Sequence, residues 1–429
     1  MDQFHFLNGQ LFCEATPVAK IAEECGTPAY VYSRAAFLQK YREFANAFGE
    51  LHPTICFSVK CCGNLSILRL LAAAGCGFDV TSGGELQRAL RAGGEPGKII
   101  YAGVGKTDPE IVDAINAGIA AFNCESEEEI ENVDRIAAAM GRTIIGAVRV
   151  NPDVDARSHA KTTTGKKQTK FGVDIDRVED VFDHFRSLRH LRLAGVHIHI
   201  GSPVLGAQPY VDAVSKATGL IDRLTAKGHE IRWLDCGGGF PAAYEALDDG
   251  PGIHEFARVL VPLLRNKPYK IAFEPGRYIA ANSGILLTRV LYRKSSGDRR
   301  FVIVDAGMND LLRPTLYEAY HHIWPTSLRG ELDLPGARRR GAAPPDAEKV
   351  NIVGPVCETG DYLALDRPLP PTRRGDLLAV FSAGAYGFAM ASNYNNRPRP
   401  AEVLVDGTNF QVIRRRETLE QLLAGEDAA

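Results

Sequence analysis

The chain has 429 residues, of which 45% are hydrophobic and 24% are charged, and its formal net charge is −2. This length exceeds one ordinary single-core domain, so we expect two domains, or one barrel of roughly 250 residues with a second unit. A net charge so close to zero gives no long-range field that would attract nucleic acid or an anionic membrane, which favours small-molecule chemistry.

The amino-terminal residues MDQFHFLNGQLF lack the basic and apolar segments of a secretory signal, and no stretch approaches about 18 uninterrupted apolar residues. The nine cysteines have irregular spacing and form no paired CxxC sets, which argues against a disulfide framework and against a zinc site. We therefore expect a cytoplasmic protein, without nucleic acid or membrane partners, in which most cysteines are buried thiols.

The first predicted elements are two runs with strand character, LFCEA and AYVYS. From about residue 36 to 275, short apolar runs then alternate with segments of helical period, as in βα units on a parallel sheet. Eight runs have strand character: TICFSV, GFDV, KIIYAG, AAFNC, TIIGAVRV, LRLAGVHIHI, IRWLDC and KIAFEP. Eight strands predict a closed (β/α)8 barrel of the TIM type, although a doubly wound open sheet has the same periodicity.

After about residue 276 the pattern changes to strand-like runs such as GILLTRVLYRK, KVNIVGPV and AEVLVDG, separated by Gly, Pro and charged turns. These runs predict a second, mostly antiparallel β domain, formed by residues 276–429 and completed by residues 1–35. The fold class is therefore α/β plus β, with the barrel at 36–275. Residues 329–346 are rich in Arg, Pro and Gly, and we interpret them as a mobile surface loop.

Polar residues close several of the predicted barrel strands. In such barrels the functional groups gather at the carboxyl ends of the strands, so these residues indicate one shared pocket. They are Lys60, Arg149, His199, Gly237 to Gly239, and Glu274.

Lys60 follows an apolar strand, where an uncompensated ammonium would be costly to bury and would tend to lose its proton. A lysine of lowered pKa is what Schiff-base chemistry needs. A lysine that extends to solvent from a strand end is the alternative.

The run GGGF at 237–240 could hold a phosphate with backbone N–H groups, although a plain strand-to-helix turn has the same composition. The tetrapeptide EPGR at 274–277 adds a carboxylate and a guanidinium. Together these groups suit a cofactor that has both a basic ring nitrogen and a phosphate. A surface Glu–Arg pair at a turn is the simpler interpretation of EPGR.

His197 and His199 lie two apart on one predicted strand and so share a face, which would also suit a metal pair. No Asp, Glu or Cys at ligand-like spacing completes such a site, so we expect no metal. For His197 we favour a core histidine bonded to a carbonyl group.

Ten motifs occur in a fixed order: FSVK, FDVTSGGE, VRVNPDVD, TKFG, HIHIGS, LDCGGGF, EPGR, DAGMNDLLRPTLY, GPVCETGD and SAGAYG. In this set and order the chain resembles the diaminopimelate decarboxylases, and more broadly the fold-type III pyridoxal 5'-phosphate (PLP) decarboxylases. The resemblance runs from about residue 5 to 420. Any single motif would be weak evidence for this family, whereas ten motifs in the same order are specific evidence for it.

The resemblance implies a role for each matching residue. Lys60 is similar to the lysine that holds PLP, His199 to the imidazole that stacks on its ring, and Glu274 to the partner of its pyridine nitrogen. Asp79, Glu85 and Arg149 match the positions that support the lysine, the histidine and the ring. The phosphate-binding set matches Ser202, Gly239, Gly276, the backbone at Arg277, and Tyr386.

By the same resemblance, Cys357 and Glu358 match a Cys-Glu pair that one subunit inserts into the site of its partner. This implies a homodimer with two shared sites, in which Cys357 gives a proton to the α-carbon of the substrate. The substrate carboxylate contacts match Arg277, Arg313, Tyr317 and Tyr386, and the ammonium contact matches Glu358. A planar guanidinium at Arg313 suits a carboxylate and favours meso-2,6-diaminopimelate, decarboxylated to L-lysine and CO2 in the last step of lysine biosynthesis.

Three residues depart from the usual family pattern, namely Cys61, Cys62 and Pro203. The main alternative is a decarboxylase of the same fold for ornithine, lysine, arginine or carboxynorspermidine, against which Arg313 argues. An alanine racemase would need a catalytic tyrosine and would have no use for the CETGD segment. A non-catalytic PLP-binding homologue is disfavoured by the presence of both Lys60 and Cys357.

Overall fold

A computed structural model of the chain describes residues 3–155, 165, 170–244, 252–328 and 346–426. The strands among these residues are, in chain order, β1 (Phe4–Leu7), β2 (Gln10–Cys13), β3 (Thr16–Pro17), β4 (Ala29–Ser33), β5 (Thr54–Ser58), β6 (Gly77–Val80), β7 (Ile99–Tyr101), β8 (Ala121–Cys124), β9 (Ile144–Asn151), β10 (Val173–Asp174), β11 (Leu191–Ile198), β12 (Trp233–Asp235), β13 (Lys270–Phe273), β14 (Gly284–Ser296), β15 (Arg299–Val304), β16 (Ile323–Pro325), β17 (Glu348–Val353), β18 (Tyr362–Leu369), β19 (Leu377–Val380), β20 (Ala401–Asp406) and β21 (Asn409–Arg414).

The α-helices among these residues are α1 (Val18–Cys25), α2 (Arg34–Ala47), α3 (Leu65–Ala73), α4 (Gly83–Arg91), α5 (Asp108–Ala117), α6 (Glu127–Ala139), α7 (Val178–His184), α8 (Ala207–Ala226), α9 (Ile253–Leu264), α10 (Gly276–Ala280), α11 (Arg313–Tyr317) and α12 (Leu419–Leu423). The loop predicted at 329–346 lies outside the described residues, apart from its last position.

The described residues form two compact units. The barrel unit takes those between 40 and 241 and between 252 and 278, and the β unit takes those of 3–39, 242–244, 279–328 and 346–426. The domain limits expected from the sequence stay a prediction.

The barrel unit contains a closed ring of eight parallel strands. Strands β5, β6, β7, β8 and β9 follow one another around the ring, and β11, β12 and β13 return to β5. The pairing of β8 with β9 closes the ring, and the two-residue strand β10 is added outside it, beside β9. The predicted barrel is thus confirmed, and the open sheet with the same periodicity is excluded.

Short connections between the barrel strands and the helices that follow them determine the positions of the polar side chains at the strand ends. The hydroxyl of Ser82 caps α4 two residues after β6 ends, and Ser126 caps α6 two residues after β8 ends. Thr107 and Glu110 form a capping box at the start of α5. Because each cap accepts an N–H group of the first helical turn that would otherwise lack a partner, the turns at the carboxyl ends of these strands are held in defined conformations.

Helix α9 was not among the elements predicted from the sequence. Its buried residues are spaced three and four apart, which is the period of an amphipathic helix: Ile253, Phe256, Ala257, Leu260, Val261 and Leu264. Pro262 lies inside the helix and the stretch DDGPG precedes it, and both features indicate turns when the sequence is considered alone. The periodicity of the buried residues was the signal that could have identified α9.

A cluster of aromatic side chains packs together in the barrel unit. Phe44 lies 4.9 Å from Phe240, and Phe48 lies 4.5 Å from Phe273, measured between ring centroids. The ring of Tyr210 stacks on Phe240 at 4.8 Å. Since each fully buried aromatic ring stabilises by roughly 1.5–3 kcal/mol, this cluster holds the ends of β12 and β13 and the glycine-rich turn that follows β12.

The β unit contains a large sheet with the strand order β18-β17-β15-β14-β4-β20-β21, in which β19 also pairs with β14 and β16. Most pairs are antiparallel, as predicted; β15 with β17 and β20 with β4 are parallel. Strand β4, the predicted AYVYS run, lies inside this sheet, whereas LFC belongs to a separate three-stranded sheet of β1, β2 and β3.

None of the described helices is both long enough and apolar enough to cross a membrane.

Candidate active site

Lys60 and Asp79 form an ion pair at the carboxyl ends of the neighbouring strands β5 and β6. The Nζ atom of Lys60 lies 2.6 Å from Oδ2 of Asp79, and the hydroxyl of Ser58 donates to the same oxygen at 2.8 Å. Asp79 is fully buried, while about a third of the lysine side chain is exposed. The charge of Lys60 is therefore compensated, which corrects the uncompensated ammonium assumed from the sequence.

Glu85 and Arg149 have defined partners nearby. Oε2 of Glu85 accepts the backbone N–H of Thr81 at 2.7 Å and the Thr81 hydroxyl at 3.0 Å, and burial raises the pKa of Glu85. Arg149 donates to Glu125 at 2.7 Å in a buried pair, and its guanidinium lies 4.6 Å from the ring centroid of Phe171. Glu85 lies near Lys60, whose charge lowers the pKa of Glu85 against the larger effect of burial, and Arg149 lies near His199, whose pKa it helps to lower.

The ring of His199 is held by a backbone contact. The N–H of Gly238 donates to Nδ1 of His199 at 3.1 Å, so Nδ1 acts as an acceptor and the neutral ring carries its hydrogen on Nε2. Burial, followed by the charges of Arg149 and Lys60, holds the pKa of His199 well below its usual value. A neutral, fixed imidazole plane is suited to stacking on an aromatic ring.

Glu274 is a buried carboxylate with an unused oxygen. Its Oε1 atom makes no hydrogen bond among the described residues and lies 3.6 Å from Nε2 of His197. Burial and the nearby charge of Asp79 raise the pKa of Glu274 to about 8. A buried acceptor of this kind calls for a donor, and a protonated ring nitrogen would satisfy it.

His197 differs from its predicted environment. It is buried as expected, but neither ring nitrogen makes a hydrogen bond with the described residues, so the predicted bond to a carbonyl group is wrong. Register places it opposite Asp235 on β12, and one ligand atom each from His197, Asp235 and Glu274 lie within 4.8 Å of one another. Neighbouring strands thus supply the carboxylates that sequence spacing did not reveal. Three such donors also occur in metal sites, so the absence of a metal stays a prediction.

The glycines at 237–239 are required by their surroundings. A Cβ atom at these three positions would collide with the carbonyl oxygens of Ile198, Glu274 and Gly201, respectively. Gly237 and Gly239 also have positive φ values of 68° and 97°, which favour glycine. The turn is therefore a tight backbone cradle, further held by the hydroxyl of Tyr210, which donates to the carbonyl of Gly238.

Ser202 lies in the turn that follows β11, and Gly276 and Arg277 lie where the turn after β13 leads into α10. Nε of Arg277 donates to Oγ of Ser202 at 3.0 Å. A Cβ atom on Gly276 would come within 2.9 Å of the Ser58 side chain and 3.1 Å of Sγ of Cys61. Backbone N–H groups in such close turns, together with a guanidinium, suit a phosphate.

The lysine, the unused Glu274 oxygen and the glycine cradle match the three ends of PLP, which has a reactive carbonyl, a ring nitrogen and a phosphate. The residues of the barrel unit therefore fit this cofactor.

The remaining predicted site residues belong to the β unit. Cys357 is exposed, and its backbone N–H donates to Oδ1 of Asn395 at 2.7 Å. Glu358 is exposed and accepts a hydrogen bond from Tyr394, which raises the pKa of that tyrosine. Asp361 shapes this loop, because its two oxygens accept the N–H groups of Met308 and Val356, both at 2.6 Å.

Arg313, Tyr317 and Tyr386 lie elsewhere in the β unit. Arg313 begins α11, is 6% exposed and donates to Nε2 of His321 at 2.7 Å. Tyr317 ends the same helix and is half-buried. Tyr386 is half-buried with a φ of 56°, a left-handed conformation that a bulky residue rarely adopts. Such strain occurs more often at functional positions than elsewhere.

Comparison with known proteins identifies the family. Residues 34–281 match the model described as "Pyridoxal-dependent decarboxylase, pyridoxal binding domain". The chain is 47% identical over 427 residues to the diaminopimelate decarboxylase of Pseudomonas aeruginosa, covering 99% of each protein. The chain belongs to the diaminopimelate decarboxylase family.

Solved structures agree with this membership. A crystal structure of an Aquifex aeolicus protein is 40% identical, with a TM-score of 0.89 over 100% of this chain and 98% of that one. The diaminopimelate decarboxylase of Helicobacter pylori, solved in complex with L-lysine, is 37% identical, with a TM-score of 0.88 over 96% of this chain and 99% of that one.

Sequence reasoning missed several residues that support the site in this member of the diaminopimelate decarboxylase family. Ser58, Asp235 and Asp361 lie inside recognised motifs without being their reactive groups. The others lie outside the recognised motifs, so no motif marked them; they are Glu125, His321, Tyr394 and Asn395. Of the departures from the family pattern, Cys61 and Cys62 are buried, and Sγ of Cys61 packs beside Gly276. Cys61 thus fills space under the EPGR turn.

Proposed function

We propose that this enzyme uses PLP to remove CO2 from meso-2,6-diaminopimelate and to release L-lysine, the last step of lysine biosynthesis. The observation that supports this most is the grouping, within one barrel, of the paired Lys60, the unused oxygen of Glu274 and the glycine cradle. The Helicobacter pylori relative in complex with L-lysine supports lysine as the product.

When bound, PLP supplies an electron-withdrawing ring that stabilises the negative charge left on the α-carbon as CO2 departs. Glu274 would accept a hydrogen bond from the protonated ring nitrogen and so keep the ring electron-poor. Lys60 would hold the cofactor at its reactive carbonyl end, and Asp79 orients Nζ of that lysine. His199, whose plane Gly238 fixes, would lie on the ring face.

The phosphate would be held by the backbone at Gly239, Gly276 and Arg277, with Ser202 and Tyr386. Glu85 and Arg149 keep the surrounding turns and charges in place through Thr81 and Glu125. These assignments rest on the tight turns of the barrel unit and on the resemblance of the motifs.

We also propose that two chains associate as an isologous homodimer with shared active sites. Cys357 and Glu358 are exposed on a loop whose shape is fixed by Asn395 and Asp361, so both side chains are available to a partner. In this arrangement the thiol of Cys357 delivers a proton to the α-carbon of the substrate in the partner's site. None of the nine cysteines forms a disulfide bond, which supports the reducing cytoplasm as the place of action.

Substrate choice depends on the end of the molecule that does not react. Diaminopimelate carries both an ammonium and a carboxylate there. We propose that Glu358 contacts the ammonium and that Arg313, with Arg277, Tyr317 and Tyr386, contacts the carboxylate.

The test is CO2 release from meso-diaminopimelate by the PLP-loaded enzyme, with lysine and ornithine as parallel substrates. We expect release from diaminopimelate alone, with an equal amount of L-lysine formed, and a sharp loss in a Cys357→Ala variant. Release only from lysine or ornithine would assign the enzyme to another substrate. No release from any of the three would contradict an enzymatic role.

A further inference from the structure

Within the β unit, Arg313 and His321 form a buried contact that has no part in the chemistry proposed for the enzyme. Nη1 of Arg313 lies 2.7 Å from Nε2 of His321, and Nδ1 of His321 lies 2.9 Å from the carbonyl oxygen of Phe381. His321 is fully buried, and Arg313 is 6% exposed. A guanidinium at this depth is costly to desolvate, so its contacts define its orientation.

The hydrogen-bond partners determine the state of the imidazole. A guanidinium has five N–H donors and no acceptor, so Nε2 of His321 must present its lone pair to Arg313. The hydrogen of the neutral ring is therefore on Nδ1, which donates it to the carbonyl of Phe381. A second hydrogen on Nε2 would place two cations in contact, so the arrangement requires neutral His321.

An aromatic ring fixes the guanidinium in another direction. The Cζ atom of Arg313 lies 4.8 Å from the ring centroid of Tyr244, and that ring meets His321 edge-on at 5.6 Å. The contact with His321 therefore lies in the plane of the guanidinium's N–H groups, whereas the contact with Tyr244 is made with the face of its ring. Together they define the rotation of the planar fork, on which two-point recognition of a carboxylate depends.

We propose that His321 is a positioning residue for substrate specificity, which orients Arg313 to grip the carboxylate that remains in the product. This inference rests on the carboxylate contact proposed above for Arg313. His321 itself touches no substrate. Its effect is therefore limited to ligands with a carboxylate at the non-reacting end, and ligands without one bind independently of it.

A pair of ligands isolates this effect in the PLP-loaded enzyme. L-Lysine and 1,5-diaminopentane differ only in the carboxylate, so the ratio of their dissociation constants, measured by titration calorimetry, reports recognition of that group. The variants are His321→Leu, which removes the acceptor, and His321→Gln, whose amide oxygen can accept from Arg313. His322→Leu is the matched control, because His322 is the next buried residue and stacks on Trp324.

In the unaltered enzyme we expect L-lysine to bind more tightly than the diamine. His321→Leu should weaken L-lysine binding by roughly tenfold or more, the effect of one charge-assisted hydrogen bond, and leave diamine binding within about threefold. His321→Gln should restore most of the preference for L-lysine, and His322→Leu should leave it unchanged.

Two results would overturn the role of His321 and leave the proposed function intact. One is a preference for L-lysine over the diamine that is unchanged in His321→Leu and abolished in Arg313→Leu. The other is an equal loss of that preference in the Leu and Gln variants of His321. A third result has a different meaning. If the unaltered enzyme shows no preference for L-lysine, or if Arg313→Leu retains it, the proposed contact of Arg313 itself is wrong. Thermal unfolding of each variant identifies any loss of binding that is caused by unfolding.

Discussion

Lys60 and Asp79 lie 2.6 Å apart, Nζ to Oδ2, at the ends of adjacent barrel strands, and Ser58 donates a second hydrogen bond to the same carboxylate oxygen. Asp79 is fully buried, so its position is fixed by the barrel and not by solvent. The lysine that carries the proposed chemistry is thus oriented by a neighbour on another strand.

Replacing Asp79 by Asn keeps the shape of the side chain and removes its charge. A hydrogen bond to a charged group contributes about 1.5–3 kcal/mol, so we expect kcat/KM for diaminopimelate to fall by roughly ten- to a hundredfold. Asp113→Asn, on the exposed side of α5, is the control and should have no effect. Steady-state kinetics with both variants checks this, and an unchanged kcat/KM in Asp79→Asn would contradict the role of the pair.

Glu274 should make the stability of the cofactor-free protein depend on pH. Its pKa of about 8 lies above the usual value of 4.5, because burial and Asp79 disfavour the charged form. The folded state therefore binds a proton that the unfolded state has lost, and this stabilisation is present below about pH 4.5 and is lost as the pH rises through 8.

The measurement is the difference in unfolding temperature between Glu274→Gln and the unaltered cofactor-free protein, from pH 5 to 9. The variant should gain relative stability as the pH rises, because glutamine cannot ionise. Comparing the two proteins cancels the shared groups that do not sense Glu274; Asp235 does not cancel, because the charge of Glu274 helps to raise its pKa, and its response is part of the measured difference. A difference that stays constant with pH would show that Glu274 does not titrate in this range.

Gly239→Ala should disrupt the proposed phosphate cradle. The added methyl group would collide with the carbonyl of Gly201, and the φ of 97° is strained for alanine. We expect a loss of about 1–3 kcal/mol in folding stability and a weaker affinity for PLP. Gly105→Ala is the matched control, since its methyl group would meet no atom within 4 Å. Equal PLP affinity in the two variants, measured by equilibrium titration, would argue against the cradle.

The shared-site dimer predicts complementation between two inactive variants. Lys60→Ala and Cys357→Ala subunits, each nearly inactive alone, should recover activity when they are mixed and allowed to exchange. Random pairing makes half of the dimers mixed, each with one intact site of two, so about a quarter of full activity is expected. Recovery near zero, with subunit exchange verified by mass spectrometry, would contradict sites built from two chains.

The barrel and the residues at its strand ends were predictable because period and position are local properties of the sequence. Lys60, His199, Gly237 to Gly239 and Glu274 each close a strand, and barrel geometry alone brings such positions together. Partners across strands were not predictable, because the register that sets Asp235 opposite His197 is a property of the closed sheet.

Contacts within the β unit were also not predictable from the sequence, because they join residues that are separated along the chain. His321 stands eight residues from Arg313, and Asn395 stands 38 from Cys357, so neither spacing indicates a contact. The sequence did indicate the reactive groups Arg313 and Cys357, since these belong to motifs. The residues that orient them became evident only from the fold.

The most direct test of the account is to locate the cofactor on the chain. The PLP-loaded enzyme is reduced with borohydride, which makes the bond between PLP and its lysine permanent, and is then digested and analysed by mass spectrometry. We predict one modified peptide, carrying the pyridoxyl group on Lys60. Modification at another lysine, such as the buried Lys106 that pairs with Glu129, or no modified peptide at all, would contradict the proposed active site.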